Sequence, residues 1–218
     1  DTAARAFVYM SRFAHILRGL YETPMVPTGE QAEADRARAE AIIQGARRAG
    51  RTILTEFESK ELLAMYGIPV VITKVAKTED EAAKLANEIG FPSVLKLFSE
   101  TITHKTDVGG VKVNLRTATE VKDAYELMVY RAQRYIPEAR IWGCLVQEMA
   151  PAGGLEILVG MNRDPQFGPL LMFGLGGVYV EALKDVTFRV APIDLREAKE
   201  MLTEIRAYNL LRGVRGEK

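Results

Sequence analysis

The chain has 218 residues, of which 48% are hydrophobic and 27% charged, a composition that excludes a disordered segment. Its 29 Lys and Arg residues equal its 29 Asp and Glu residues, so no net basic field favours binding to nucleic acid or to a membrane. The single cysteine, Cys144, excludes an intrachain disulfide, favours a cytoplasmic location and is predicted to be buried packing.

The first part of the chain is predicted to be helical. Residues 1–22 carry apolar side chains at helical spacing, and residues 31–49 are rich in Ala, Arg and Glu, as is typical of a solvated linker helix. We place a domain boundary near Gly50. Because the sequence opens without Met and directly in a helical pattern, we expect it to be a fragment of a longer protein.

Capping signals divide the rest of the chain into alternating helices and strands. Thr55, Thr78 and Thr117 each stand three residues before a glutamate, which predicts a capping box, and Asp194 begins a last helix in the same way. This order predicts α+β subdomains within a mixed α/β chain, not a doubly wound sheet. The predicted strands are 70–75, 94–98, 111–115, 142–148, 155–162, 169–173 and 186–191.

Two features are candidates for holding phosphate. Lys96 interrupts an apolar strand, where its ammonium lies either on the wet face of an antiparallel strand or beside a phosphate. His104 and Lys105 precede the adjacent glycines Gly109 and Gly110, which let the backbone approach a ligand closely. A plain glycine turn between strands explains the same segment, so both interpretations stay open.

A pair of carboxylates follows later in the chain. Glu148 ends one predicted strand and Glu156 begins the next, with a short loop between them. We predict a hairpin here, which would bring both carboxylates to the same end of a sheet. There they would bind ribose hydroxyls, base amines or a metal, and two exposed glutamates at a turn are the alternative.

A strand lysine, a glycine loop, a carboxylate pair and a glycine turn thus follow in order. This order and the local sequences resemble the ATP-grasp domain of the NDP-forming acyl-CoA synthetases, which are relatives of the succinyl-CoA synthetase β chain. The resemblance covers about residues 38–218. The stretches that carry it are 91–96, 104–112, 163–169, 174–181 and 185–192.

The resemblance implies a role for each candidate residue. Lys96 would bind the nucleotide phosphates, with Lys105 and Thr106 in a flexible phosphate loop. Residues 147–149 would form the adenine hinge, and Glu156 would reach the ribose. The cofactor-binding residues are thus Lys96, Lys105, Thr106, Gln147, Glu148, Met149 and Glu156, and the catalytic residue is His104, which matches a histidine that carries a phosphoryl group in the ADP-forming branch.

The implied enzyme is a ligase that forms carbon–sulfur bonds, of the ADP-forming acetate–CoA ligase type. Acid, CoA and ATP would give acyl-CoA, ADP and phosphate through a phosphohistidine. ATP or ADP and Mg²⁺ would be its cofactors, and partner domains would bind CoA. The family's metal ligands are expected beyond Lys218, so no metal ligand is assigned here.

The resemblance also predicts how the chain is organised. Residues 1–50 would comprise the helical tail of an upstream CoA-ligase-like domain and a linker helix, and residues 51–218 an ATP-grasp domain that is incomplete at its C-terminus. We expect a CoA-binding α-type domain or subunit as partner, in a hetero-oligomer or a fused dimer, and an inactive isolated chain.

Two alternatives to the ligase remain. The chain would be either a non-catalytic nucleotide-sensing module of a regulated acyltransferase or a structural domain with an empty site. His104 and Glu156 favour the ligase, because a sensor needs no phosphoryl acceptor.

Overall fold

Helices and strands alternate through the computed structural model, which describes residues 2–19, 28–102, 105–177 and 185–213. The helices are α1 (Thr2–Gly19), α2 (Glu30–Arg48), α3 (Glu56–Met65), α4 (Glu79–Ile89), α5 (Ala118–Tyr135), α6 (Leu195–Glu204) and α7 (Tyr208–Leu211). The strands are β1 (Thr73–Ala76), β2 (Ser93–Ser99), β3 (Val111–Leu115), β4 (Ile141–Glu148), β5 (Ile157–Asp164), β6 (Gly168–Leu175) and β7 (Val186–Val190).

Capping side chains begin four of these helices at the predicted positions. In α3 and α6 the box is complete, because the cap side chain and the glutamate three positions later each accept from the other's backbone N–H. In α4 and α5 the threonine accepts the expected bond, but the glutamate accepts from the N–H one residue before the cap. The four cap residues are Thr55, Thr78, Thr117 and Asp194.

The described residues form two compact units. One comprises Thr28–Ala152, and the other combines the described parts of 1–27 and 153–218. Helix α2 therefore belongs to the first unit, together with α3. The predicted domain boundary near Gly50 stays a prediction.

The first unit is built on a four-stranded antiparallel sheet with the order β1-β4-β2-β3. Helices α4 and α5 pack against one face of this sheet and bury its apolar side chains. Leu95 and Leu97 of β2 lie in this core with Met128 of α5, and all three are fully buried. Burying such a side chain contributes about 1.5–3 kcal/mol, so this face fixes the sheet in place.

Alternation along the strands sends other side chains to the opposite face. Lys96 lies between Leu95 and Leu97, and it pairs with Leu145 of β4. Gln147 stands two residues after Leu145 and therefore shares its face. The sheet thus presents Lys96 and Gln147 together, away from α4 and α5.

The second unit holds a three-stranded antiparallel sheet with the order β5-β6-β7, in which strands that follow one another along the chain are paired. Phe173 of β6 packs there with Met201 of α6 and with Ile205.

The predicted hairpin between β4 and β5 is wrong. Both edges of β4 are already paired, with β1 and β2, so no edge is left for β5.

The prediction for the single cysteine is confirmed. Cys144 is buried in the core, and burial raises the pKa of its thiol to about 12. In the part of the chain that the structure describes, no helix has the length and apolar character needed to cross a bilayer.

Candidate functional site

A single carboxylate, that of Glu56, connects three predicted site residues. Its Oε1 accepts hydrogen bonds from Lys96 Nζ at 2.8 Å and from Gln147 Nε2 at 2.6 Å. Its Oε2 accepts one from Lys105 Nζ at 2.8 Å. A fourth residue, Lys60, places its Nζ 3.2 Å from Oε1. We call Glu56, Lys60, Lys96, Lys105 and Gln147 the lysine cluster.

Four separate elements supply these side chains. Glu56 is the first residue of α3, directly after the cap residue Thr55, and Lys60 follows one turn later. The capping box therefore fixes where the carboxylate stands. The sheet supplies Lys96 and Gln147 from adjacent strands, and Lys105 begins the 3₁₀ helix Lys105–Val108. Lys60 also donates a 3.0 Å hydrogen bond to Thr73 Oγ1 in β1.

The cluster is partly withdrawn from solvent. The side chains of Glu56, Lys96 and Lys105 are 23%, 29% and 16% exposed, and Gln147 is buried. Burial by itself would raise the pKa of the Glu56 carboxyl, but the bonds from Lys105, Lys96 and Gln147 hold it well below its ordinary value. Glu56 is therefore charged at neutral pH.

The cluster has more cations than anions. Three ammonium groups surround one carboxylate, so the group keeps a net positive charge. Burial lowers the pKa of Lys60, the ion pair with Glu56 opposes this, and the charges of Lys96 and Lys105 lower it further. This local excess of half-buried cations can attract an anion, although the chain as a whole has no net charge.

An open cavity of about 500 Å³ adjoins the cluster, and all the residues that line it belong to the first unit. Glu56 and Lys105 both line it, together with residues 50–55, Ser99, Glu100 and Ile102. Its volume lies within the range of small-molecule sites. Ile102 and Lys105 are the described residues that lie nearest to His104 along the chain, one on each side of it. Both border this space of ligand size.

A bidentate ion pair stabilises one wall of this cavity. Arg51 donates from Nη1 and Nη2 to the two carboxylate oxygens of Glu58, both at 2.7 Å, and its Nε lies 3.7 Å from Glu100 Oε1. The bond from Arg51 holds the pKa of Glu58 down at about 2. Because Glu58 also completes the cap of α3, this pair links the wall to the helix that carries Glu56.

The glycine loop closes on its own backbone. The Gly110 N–H donates to the Lys105 carbonyl at 2.6 Å, and the Leu97 N–H donates to the Gly110 carbonyl at 2.8 Å. A Cβ at Gly110 would lie 2.8 Å from that Lys105 carbonyl oxygen. Gly110 therefore permits a tight turn that places Lys105 beside β2. Thr106 lies on the exposed side of this turn.

The predicted hinge residues surround the end of β4. Gln147 joins the lysine cluster through its side chain, which the hinge prediction did not include. Glu148 is exposed, and its backbone N–H donates to the Ile72 carbonyl at 3.0 Å. Met149 follows the strand and is half-buried. The roles of these three residues at an adenine stay predictions.

Glu156 belongs to the second unit, where it is exposed just before β5. Its backbone carbonyl accepts from the Gly176 N–H at 2.8 Å, and its side chain lies over Gly177, where a Cβ would meet the carboxylate. The glycine turn after β6 thus contacts Glu156. Its predicted role at the ribose stays a prediction.

The predicted catalytic residue, His104, lies outside the described residues, as do residues 178–181 of the glycine-turn stretch. In the described ranges, no group of three or more His, Cys, Asp or Glu side chains could hold a metal ion.

Glu56 and Lys60 were not among the site residues predicted from the sequence. Glu56 had the appearance of an ordinary acidic residue in the first turn of a capped helix. Lys96, Lys105 and Gln147 lie 40, 49 and 91 positions away from Glu56, so no local pattern connects them to it. The one available signal was Lys96 itself, because a lysine in an apolar strand requires an anionic partner.

Comparison with known proteins places the chain in a family. A family model described as an ATP-grasp domain matches residues 45–218. The β subunit of acetate–CoA ligase (ADP-forming) I from Pyrococcus furiosus is 51% identical over 182 residues, which cover 84% of this chain and 78% of that protein.

Solved structures agree with this placement. One of them is the dinucleotide-forming acetyl-coenzyme A synthetase 1 from Ca. Korarchaeum cryptofilum in complex with coenzyme A, Ca-AMPCP and HgCl⁺. It is 49% identical in sequence and superposes with a TM-score of 0.79, and the match covers 83% of this chain and 78% of that chain. Another structure of that synthetase contains coenzyme A and Mg-AMPPCP, with its phosphohistidine segment pointing towards the nucleotide binding site. It is 46% identical with a TM-score of 0.71, and the match covers 82% of this chain and 76% of that chain. The chain is therefore a member of the ATP-grasp family and belongs with the β subunits of the ADP-forming acyl-CoA ligases.

Proposed function

We propose that this chain is the nucleotide-binding domain of an ADP-forming acyl-CoA ligase and that Lys96 and Lys105 bind the phosphates of ATP or ADP. The observation that carries this proposal is the convergence of both ammonium groups on Glu56, beside a ligand-sized cavity. Each ammonium has three N–H donors, so a bond to Glu56 leaves others for phosphate oxygens. Lysine is well suited to this task, because it acts as a compact point charge.

The other predicted residues would complete the nucleotide site. Thr106 would contact phosphate from the glycine loop, residues 147–149 would hold the adenine, and Glu156 would bind the ribose. Glu148 and Glu156 are both exposed, which leaves carboxylate oxygens available to a ligand.

His104 would then accept a phosphoryl group from ATP. An imidazole nitrogen would attack the γ-phosphorus, a nitrogen–phosphorus bond would form, and the bond to the β-phosphate oxygen would break and release ADP. The two lysines would neutralise the charge on the phosphate oxygens. Return of the phosphoryl group towards an acid and CoA would complete acyl-CoA synthesis, with phosphate as the other product.

The reaction also needs components outside the lysine cluster. Mg²⁺ accompanies the nucleotide analogue in one relative, but the described carboxylates here form no metal-binding group, so we assign no magnesium ligand. We expect CoA to bind to an α-type partner subunit or fused domain, since the relative from Pyrococcus furiosus is called a β subunit. A cytoplasmic location suits the single, buried and unpaired Cys144.

Phosphoryl transfer tests the proposal directly. The chain is assembled with its CoA-binding partner and incubated with ATP labelled at the γ-phosphate. We expect acid-labile protein label that is lost in His104→Ala and retained in Lys74→Met, a change at an exposed ion pair away from the lysine cluster.

Absence of label in the intact assembly would overturn the catalytic proposal. That result, with nucleotide binding intact, would point to the nucleotide-sensing alternative, which the comparisons with known proteins do not support.

A further inference from the structure

We propose that Glu56 is a positioning residue for the nucleotide phosphates, because its carboxylate holds the ammonium groups of Lys96 and Lys105 side by side before the ligand arrives. This inference rests on the proposed function, since it assumes that both lysines bind phosphate. It adds a residue that makes no contact with the nucleotide in this account and acts through the two lysines.

The geometry distributes the carboxylate between its partners. Lys96 bonds to Oε1 and Lys105 bonds to Oε2, both at 2.8 Å, so each ammonium has an oxygen of its own. Gln147 adds a 2.6 Å bond to Oε1 from a buried position. The Gln147 amide, which projects from β4, thus orients the Glu56 carboxylate, and the carboxylate in turn orients the two lysines.

Electrostatic repulsion explains why the lysines need this residue. Lys60, Lys96 and Lys105 all lie within 3.2 Å of the same carboxylate, so their charges are close to one another. Without an anion between them, like charges at this range repel and favour separate, solvated positions. A long lysine side chain also loses rotamer entropy when it is ordered. Glu56 offsets both costs before binding, which is preorganisation.

The position of Glu56 on α3 suits a fixed anchor. It lies within a complete capping box, directly after the cap residue Thr55, and the Arg51 ion pair with Glu58 fixes the same turn. Acidic side chains in a first helical turn are favoured by the helix dipole, so the carboxylate is stabilised there with or without a ligand.

Three substitutions separate positioning from general stability. Glu56→Gln keeps the size but turns an N–H₂ group towards one of the two ammonium groups. Glu56→Asp keeps the charge but shortens the side chain. Glu61→Gln is the matched control, because it removes the same charge from an exposed position of the same helix. Each variant is prepared in the assembled ligase, and its melting temperature is recorded.

Calorimetric titration with adenosine and with ADP gives the decisive comparison. We expect Glu56→Gln to weaken ADP binding by about tenfold or more, since it disrupts two charge-assisted contacts, while adenosine binding changes by less than about twofold. Glu56→Asp should fall between the wild type and Glu56→Gln, and Glu61→Gln should match the wild type. If Glu56 had only a structural role, the substitution would weaken the binding of ADP and of adenosine equally.

Several outcomes would overturn the inference. Equal or tighter ADP binding by Glu56→Gln would show that the carboxylate is dispensable or competes with phosphate. If Glu56→Gln does not fold, Glu56→Asp becomes the test variant. Equal losses of affinity for ADP and for adenosine in Glu56→Asp would then refute the positioning role. A wild-type protein that binds no ADP rejects the proposed function itself, whereas wild-type binding with an unaffected Glu56→Gln rejects only the role of Glu56.

Discussion

The Nζ atom of Lys96 lies 2.8 Å from Oε1 of Glu56, across 40 positions of sequence. This contact explains how a lysine is tolerated in a strand whose neighbouring side chains, Leu95 and Leu97, are fully buried. Burying an ammonium without a partner is costly, and the carboxylate at the start of α3 removes that cost. The strand alternation places this ammonium on the face of the sheet opposite to α4 and α5, where Glu56 bonds to it.

Gly110→Ala tests whether the tight turn of the glycine loop positions Lys105. A Cβ there would lie 2.8 Å from the Lys105 carbonyl oxygen and 3.1 Å from Leu97 Cβ, so the turn must open. We expect the free energy of unfolding to fall by about 1–3 kcal/mol and ADP affinity to fall as Lys105 moves. Chemical denaturation and calorimetry measure the two effects.

Gly154→Ala is the control for this change, because a Cβ at that glycine meets no atom within 4 Å. Its effect on stability should stay within about 0.5 kcal/mol. If Gly110→Ala were as mild as this control, the turn would not depend on the close approach.

Glu58→Ala tests the ion pair that supports the cavity wall. The change removes two hydrogen bonds to Arg51 and half of the capping box of α3, so we expect a loss of about 1–2 kcal/mol in the free energy of unfolding at neutral pH. Thermal or denaturant unfolding measures this loss. Stability equal to the wild type would mean that the pair contributes nothing.

Acid should lower the stability of the folded protein by protonating the same residue, Glu58. The bond from Arg51 holds the pKa of Glu58 at about 2 in the folded chain, below the ordinary value of 4.5, so the unfolded chain binds a proton more readily. The contribution of Glu58 is therefore complete above pH 4.5 and is lost as the pH falls towards 2. Melting temperatures across this range should fall less steeply in Glu58→Gln than in the wild type, and parallel curves would contradict the assignment.

Cys144 should resist thiol reagents in the folded protein. It is fully buried, and burial raises the pKa of its thiol to about 12, so its reactive thiolate is scarce at about pH 8. We expect labelling at least about a thousandfold slower than in the unfolded chain, which mass spectrometry with and without denaturant measures. Rapid labelling of the native protein would place the thiol near the surface.

Local signals in the sequence predicted much of the fold. The caps at Thr55, Thr78, Thr117 and Asp194 depend on residues three positions apart, and the β5-β6-β7 meander depends on neighbours in sequence. The β4–β5 hairpin failed for a non-local reason. A loop of the right length cannot form a hairpin when β1 and β2 already occupy both edges of β4.

The candidate site was predictable only in part. Lys96 and Lys105 were candidates from the local sequence and Gln147 from the family resemblance, and the structure brings these three together. Glu56 was not, because its significance exists only after α3 packs near the sheet. The order of residues along the chain predicts candidate phosphate-binding lysines but does not reveal the carboxylate to which they bond.

The most direct test of the account is calorimetric titration of the assembled ligase with ATP in the presence of Mg²⁺, comparing the wild type with Lys96→Met/Lys105→Met. Lys74→Met serves as the control for removing a cation from the sheet. The account predicts one nucleotide site in the wild type and in the control, and a loss of affinity of about a hundredfold in the double variant, from roughly tenfold for each charge-assisted contact. Undiminished ATP binding by a folded double variant, or no binding by the wild type, would contradict it.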